Sequence, residues 1–126
     1  MIRLAPVTCE NFDECMSLRR ASSRFVGEPA YVLAEAYIHR ADSLAYAIYL
    51  DQQVIGLVIV TETPRRGAYS FTDLFIDDTF QHRGYGSEAV RAILDKFRAE
   101  RKADMVEIQV HCMNEFAIKS YEKNGF

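Results

Sequence analysis

The segment LFIDDTFQHRGYGSEAV, from Leu74 to Val90, carries the residues with the clearest chemistry in the chain. A strand-like apolar run ends there. A loop containing Gln81, His82, Arg83, Gly84, Tyr85 and Gly86 follows, and an amphipathic helix opens at once with Ser87 near its start. Glycine lets the main chain approach a ligand with no Cβ in the way. The N–H groups of a first helical turn have no partner inside the helix, and they point one way with the positive end of the dipole behind them. Such a junction is an anion site, and a pyrophosphate fits it. Arg83 could add a charge-assisted contact. Taken alone, Gly84 and Gly86 would serve equally well in a plain turn before a helix.

Positioning such a loop requires a sheet on one side and a helix on the other, and the flanking patterns supply both. Ile2 to Ala5 reads as a short strand. Thr8 or Asn11 can cap a helix that turns Phe12, Cys15, Met16 and Arg19 to one side. Pro29 can open a second helix, with Leu33, Ala36 and Tyr37 at helical spacing up to about Arg40. LAYAIYL and VIGLVIVTET around the polar DQQ form a hairpin signal, and TPRRG is the next turn. AYSFTDLFID then adds a strand with alternating aromatics at Tyr69, Phe71 and Phe75, completing an antiparallel meander from Leu44 to Asp77. Ala89, Val90, Ile93, Leu94 and Phe97 mark one face of a helix from about Tyr85 to Lys102. Met105 to Val110 alternates as a further strand. Asn114 then caps a last short helix bearing Ala117, Ile118 and Tyr121, which stops at Gly125. The expected class is α/β in the α+β sense, in the order βααβββαβα.

With 126 residues, the sequence has room for one domain over residues 1–126. Its 49% apolar and 26% charged residues are those of an ordinary globular protein. No run approaches the roughly 18 apolar residues of a membrane span, and no signal core follows Met1, so a cytoplasmic location without membrane partners is the default. A net charge of −3 gives no basic footprint for nucleic acid. Cys9, Cys15 and Cys112 form no CxxC pair and are odd in number, so neither a disulfide framework nor a metal site is expected.

QHRGYG resembles the Gln/Arg-x-x-Gly-x-Gly/Ala signature of the GNAT acetyltransferases, in its usual place between the fourth strand and the third helix. NEFAIKSYEKNGF is similar to that family's closing motif, with Asn114, Ala117, Tyr121 and the pair Gly125-Phe126 in register. The resemblance covers the whole element order. It implies the GNAT fold, a mixed and mostly antiparallel sheet flanked by helices, and acetyl-CoA as co-substrate. It also implies that Gln81 to Gly86 with Ser87 bind the pyrophosphate, and that Phe75 and Ile76 offer main-chain groups to the pantetheine arm. Asn114 would touch the cofactor, and Tyr121 would protonate the departing thiolate. An alkylammonium must lose a proton before it attacks, so a carboxylate or a water chain belongs on the acceptor side. Asp73, Glu107 and Glu35 are candidates by position, and His111 could titrate usefully.

FVGEPAYVLAEAY followed by AIYLDQQVIGLVIV has a looser likeness to the diamine and polyamine branch of the family. A small-molecule amine such as a polyamine is the acceptor it implies, with Glu28, Glu35 and Asp73 facing its ammonium groups. The family usually continues through a β-hairpin beyond the closing motif, whereas this sequence stops at Phe126. An uncovered fifth strand would seek a partner, and a homodimer is expected. Two other functions compete. A non-catalytic coenzyme A-binding module would share the loop but has no need of a proton donor at Tyr121. A nucleotide-dependent oxidoreductase is suggested by GYGSEA, although that fingerprint belongs in the first βα unit of a parallel sheet, and here three meander strands precede it.

Overall fold

The computed structural model describes residues 1–19, 28–63, 67–100, 105–108 and 115–126. Its elements run β1 (Ile2–Pro6), α1 (Phe12–Met16), α2 (Pro29–Ile38), β2 (Ser43–Leu50), β3 (Gln53–Thr63), β4 (Ala68–Ile76), a 3₁₀ turn (Asp78–Phe80), α3 (Tyr85–Glu100), β5 (Met105–Ile108) and α4 (Glu115–Lys123). This is the order read from the sequence. The five strands lie side by side in chain order, each pair antiparallel except β4 with β5, which run parallel. The parallel step follows from α3, which carries the chain back across one face before β5 begins.

Helices on both faces explain why β3 is apolar almost throughout: a strand covered on two sides has no solvent face to alternate with. On one face Ile48, Val58, Val60, Tyr69, Phe71 and Ile76 pack with Ala89, Val90, Ile93 and Phe97 of α3. On the other, Ala45, Ala47, Leu57, Ile59 and Phe75 pack with Cys15, Val32 and Ala36 of the first two helices. Tyr69 and Phe97 stack with centroids 4.1 Å apart, pinning α3 to the sheet. The outer edge at β1 is blunted, because Pro6 has no N–H and its carbonyl accepts from Asn11 Nδ2 at 3.2 Å.

Several sequence expectations need correcting. Helix α1 is a little over one turn long, and of its expected apolar side only Cys15 is buried, while Phe12 is 45% and Met16 37% exposed. Asn11 stands at the N-cap but does not cap. Its amide is spent on Thr8, Pro6 and the Tyr49 hydroxyl, tying α1 to the sheet edge. In α2 the buried stripe is Pro29, Val32 and Ala36, and Tyr37 is 62% exposed. The aromatic alternation in β4 also breaks. Tyr69 and Phe71 face α3, whereas Phe75 faces α1 and α2. The cause is a bulge: Leu57 pairs with Phe75 and Ile59 with Thr72, so Asp73 and Leu74 together oppose Val58. Asp73 takes φ +56°, and the extra residue turns every later side chain to the opposite face.

Helix α4 ends as its sequence suggests. Gly125 adopts φ +98°, its N–H reaches the Glu122 carbonyl at 3.0 Å, and the Phe126 N–H reaches that of Tyr121 at 3.1 Å, the paired bonds of a Schellman stop. The TPRRG turn, the end of the expected fifth strand and the Asn114 cap lie outside the described residues.

One residue makes the doubly bulged centre of the sheet possible. A Cβ at Gly56 would stand 2.3 Å from the Phe75 carbonyl oxygen, a main-chain atom that cannot step aside. Gly56→Ala is expected to destabilise the fold by about 1–3 kcal/mol, the usual cost of forced overpacking, seen as a lower denaturant midpoint at unchanged slope.

Candidate active site

The parallel ladder to β5 pairs Ala68 to Phe71 with Met105 to Ile108, and among the described residues it goes no further. Beyond the bulge, the Asp77 N–H donates to the Ile55 carbonyl of β3 at 2.7 Å. Strand alternation then gives Phe75 the same side, opposite Leu57, and turns the main-chain groups of Leu74 and Ile76 to the other edge. The main-chain groups of Ile76 thus turn away from β3 while those of Phe75 turn toward it. Leu74, which the sequence reading did not name, shares the side of Ile76, and nothing in the sequence marks the bulge that puts it there.

The loop after β4 is held by side chains folded back onto it. Asp77 Oδ1 accepts the Thr79 N–H at 2.9 Å and begins the 3₁₀ turn. Gln81 Nε2 donates to the Ile76 carbonyl at 2.8 Å, so this amide closes the turn from inside. His82 and Gly84 adopt positive φ, +63° and +84°, conformations that turn successive main-chain N–H groups inward. The first helical bond is donated by the Glu88 N–H to the Gly84 carbonyl at 3.1 Å. The N–H groups of Tyr85, Gly86 and Ser87 therefore stand ahead of the helical ladder. Gly86 meets only Ile76 Cγ1, at 4.0 Å from a built Cβ, so the first turn sits directly over the end of β4. Arg83 is exposed, with its guanidinium carbon 5.7 Å from the Phe80 ring centre. Loop and strand edge form one continuous track: amide groups along β4, then a cluster of N–H donors with a cation at its rim.

Tyr121 lies at the fork of that track. Its ring meets Phe71, the last β4 residue paired with β5 among the described residues, edge-on at 5.8 Å, and Phe126 completes the cluster at 6.1 Å from Tyr121. Burial pushes the phenol above its ordinary range, so it keeps its proton at neutral pH and can only donate it. Immediately after the end of its helix, Asn124 Nδ2 donates to Ser87 Oγ at 2.9 Å, linking the helix of Tyr121 to the first turn of α3. Asp73 stands at the bulge with Oδ2 shielded from solvent. Glu28 at the start of α2 and Glu35 within it lie on a helix packed against β2 and β3, on the face opposite α3. Asn114, His111 and Cys112 are outside the described residues. A separate groove of 660 Å³ between β1 and α3, lined by Arg3, Tyr46, Asp95 and Lys96 among others, contains none of these site residues.

The profile of the GNAT acetyltransferase family matches residues 12–126. The chain belongs to the GNAT family. Members are acetyl-CoA-dependent acyltransferases. Three solved structures share the fold. The ribosomal alpha-N-protein acetyltransferase RimL, in complex with coenzyme A, superposes with a TM-score of 0.81 at 15% identity over 99% of this chain and 79% of its own. Spermidine N-acetyltransferase from Vibrio cholerae, with coenzyme A and spermine, gives 0.77 at 18% identity over 98% and 79%. An aminoglycoside acetyltransferase with coenzyme A gives 0.77 at 20% identity, covering all of this chain and 84% of its own. No curated protein matches by sequence. Among the described residues no helix is long and apolar enough to cross a membrane. Nor does any group of three or more His, Cys, Asp or Glu side chains gather where it could hold a metal ion.

The shifted phenol has a measurable consequence. A folded-state pKa raised above the unfolded value of about 10 stabilises the fold below that pH, and the contribution is lost as pH climbs through the folded value. Tyr121→Phe, which has no proton to lose, is expected to flatten the alkaline fall in thermal midpoint and to remove one raised tyrosinate step at 295 nm.

Proposed function

We propose that the domain transfers the acetyl group of acetyl-CoA directly to a primary amine of a small molecule, with a polyamine as the first candidate. The observation that carries this reading is the side of β4 turned away from β3 beyond the bulge. Its Leu74 and Ile76 main-chain groups lie just ahead of the loop of residues 82–87, and Tyr121 packs on Phe71, the last β4 residue paired with β5 among the described residues. Pantetheine on that edge and pyrophosphate on the loop would bring the thioester to the bulge. There the Leu74 N–H would polarise the carbonyl as it gains negative charge.

The amine nitrogen attacks the thioester carbon, a C–N bond forms and the C–S bond breaks. The sulfur leaves with the electron pair and takes the Tyr121 proton. The amine's own proton passes to a base on the acceptor side, and Asp73, next to Leu74 at the bulge, is the carboxylate assigned to it. No acyl-enzyme is needed. Glu28 and Glu35 on α2 supply further negative charge for an acceptor with more than one ammonium group. The likeness in fold to a spermidine acetyltransferase supports this acceptor class, and the likeness to an aminoglycoside acetyltransferase keeps other cationic small molecules in the panel.

Coenzyme A release, followed with a thiol-reactive dye, is the direct test with spermidine, spermine, putrescine, aminoglycosides and peptide amines. Turnover is expected with a polyamine. Tyr121→Phe is expected to retain coenzyme A affinity while losing about 10²-fold or more in rate, the scale of a positioned acid. Transfer only to peptide amines would refute the acceptor, and undiminished turnover in Tyr121→Phe would refute the proton donor.

A further inference from the structure

The carboxylate of Asp77 stands at the joint between the two halves of the track, after the last strand residue and before the 3₁₀ turn. Both of its oxygens are committed to main-chain donors. Oδ1 accepts the Thr79 N–H at 2.9 Å, and Oδ2 accepts the Arg19 N–H at 2.8 Å, a donor 58 residues away at the exit of α1. The grip is reciprocal, since the Asp78 N–H donates to the Arg19 carbonyl at 2.9 Å. The Asp77 N–H is itself fixed to Ile55 at 2.7 Å. Main chain and side chain of this one residue therefore join β3, the end of β4, the loop and the α1 exit.

We infer that Asp77 is a positioning residue for coenzyme A, setting the distance and angle between the strand edge that takes the pantetheine arm and the loop that takes the pyrophosphate. The inference rests on the function proposed above and goes beyond it, because neither the motif nor the family likeness assigns this carboxylate a role. A loop closed only by Gln81 on Ile76 would be hinged at one point. The carboxylate adds a second point on the far side, so the N–H groups of residues 82–87 are held before any ligand arrives, the condition for a low ordering cost on binding. Burial works against the Asp77 charge, but the N–H groups of Arg19 and Thr79 and the Thr79 hydroxyl outweigh it and hold the carboxyl below the ordinary range. It is therefore ionised wherever coenzyme A binds. Electrostatics alone would make a carboxylate beside a pyrophosphate unfavourable, so its presence there calls for a geometric reason.

That opposition of signs makes the test decisive. Asp77→Asn removes a negative charge near an anion, and a purely electrostatic role predicts tighter coenzyme A binding. A positioning role predicts weaker binding, by about tenfold, since the amide can satisfy only one of the two N–H donors. Calorimetric titration with coenzyme A and with pantetheine, which lacks the pyrophosphate, separates the halves: coenzyme A affinity should fall while the weak pantetheine affinity stays unchanged. Unchanged or tighter coenzyme A binding in the folded variant would overturn the inference, as would equal loss for both ligands. If the wild-type protein does not bind coenzyme A at all, the proposed function fails first and takes the inference with it. Should Asp77→Asn not fold, the wild-type protein still decides. The Arg19 and Thr79 amides should exchange slowly with solvent and more slowly again with coenzyme A, and exchange indifferent to coenzyme A would overturn the inference.

Discussion

The rest of the structure depends on one extra residue in β4. With Asp73 and Leu74 set against a single residue of β3, the side chains of the strand change face, and among the described residues the ladder to β5 does not extend past Phe71. A positive φ at an aspartate is unfavourable in isolation, and it persists because the surrounding sheet fixes it from both directions. Upstream, Tyr69 and Phe71 lock into the core beneath α3; downstream, Phe75 locks into the opposite core beneath α1 and α2. Gly56 on the facing strand supplies the room. A regular β4 would have placed Phe75 with Tyr69 and Phe71 and left no open main chain for a ligand to pair with.

The loop after β4 follows from the same geometry. Where β4 ends, Gln81 and Asp77 fold back on the turn, and α3 starts directly above the strand terminus. The N–H groups of the first helical turn thus continue the line of amides that begins at Leu74. The fork also explains the place of Tyr121. Its ring completes an aromatic cluster with Phe71 and Phe126, and the Schellman stop at Gly125 turns Phe126 back onto it. That packing partly buries the phenol and pushes its pKa up, so the packing and the shifted titration have one cause.

Much of this was legible in the sequence. The element order, the α3 face and the stop at Gly125 followed from periodicity and terminal residues, because in each case local preference and tertiary packing ask for the same thing. The loop before α3 could be placed because glycines and a helix start leave a local signature. The face of Phe75 could not, since strand alternation assumes a regular pairing and a bulge depends on the partner strand. Leu74 was missed for the same reason. The Asp77 clamp and the Asn124–Ser87 link are contacts between distant segments, and only the Asp-x-Thr spacing hinted at the local half of the first. In α1 and α2, amphipathic spacing put Met16 and Tyr37 inside, but a helix of one turn and a broadly apolar one each leave the buried side to be chosen by the sheet.

The central claim is that coenzyme A lies along β4 beyond the bulge and ends on the N–H groups at the start of α3. Its most direct test is a crystal structure with coenzyme A bound. The account predicts pantetheine amides on the main chain of Leu74 and Ile76, pyrophosphate on the N–H groups of residues 82–87, and the thiol beside Tyr121. Coenzyme A seated elsewhere, or a Leu74–Ile76 edge without ligand while the cofactor is bound, would contradict it.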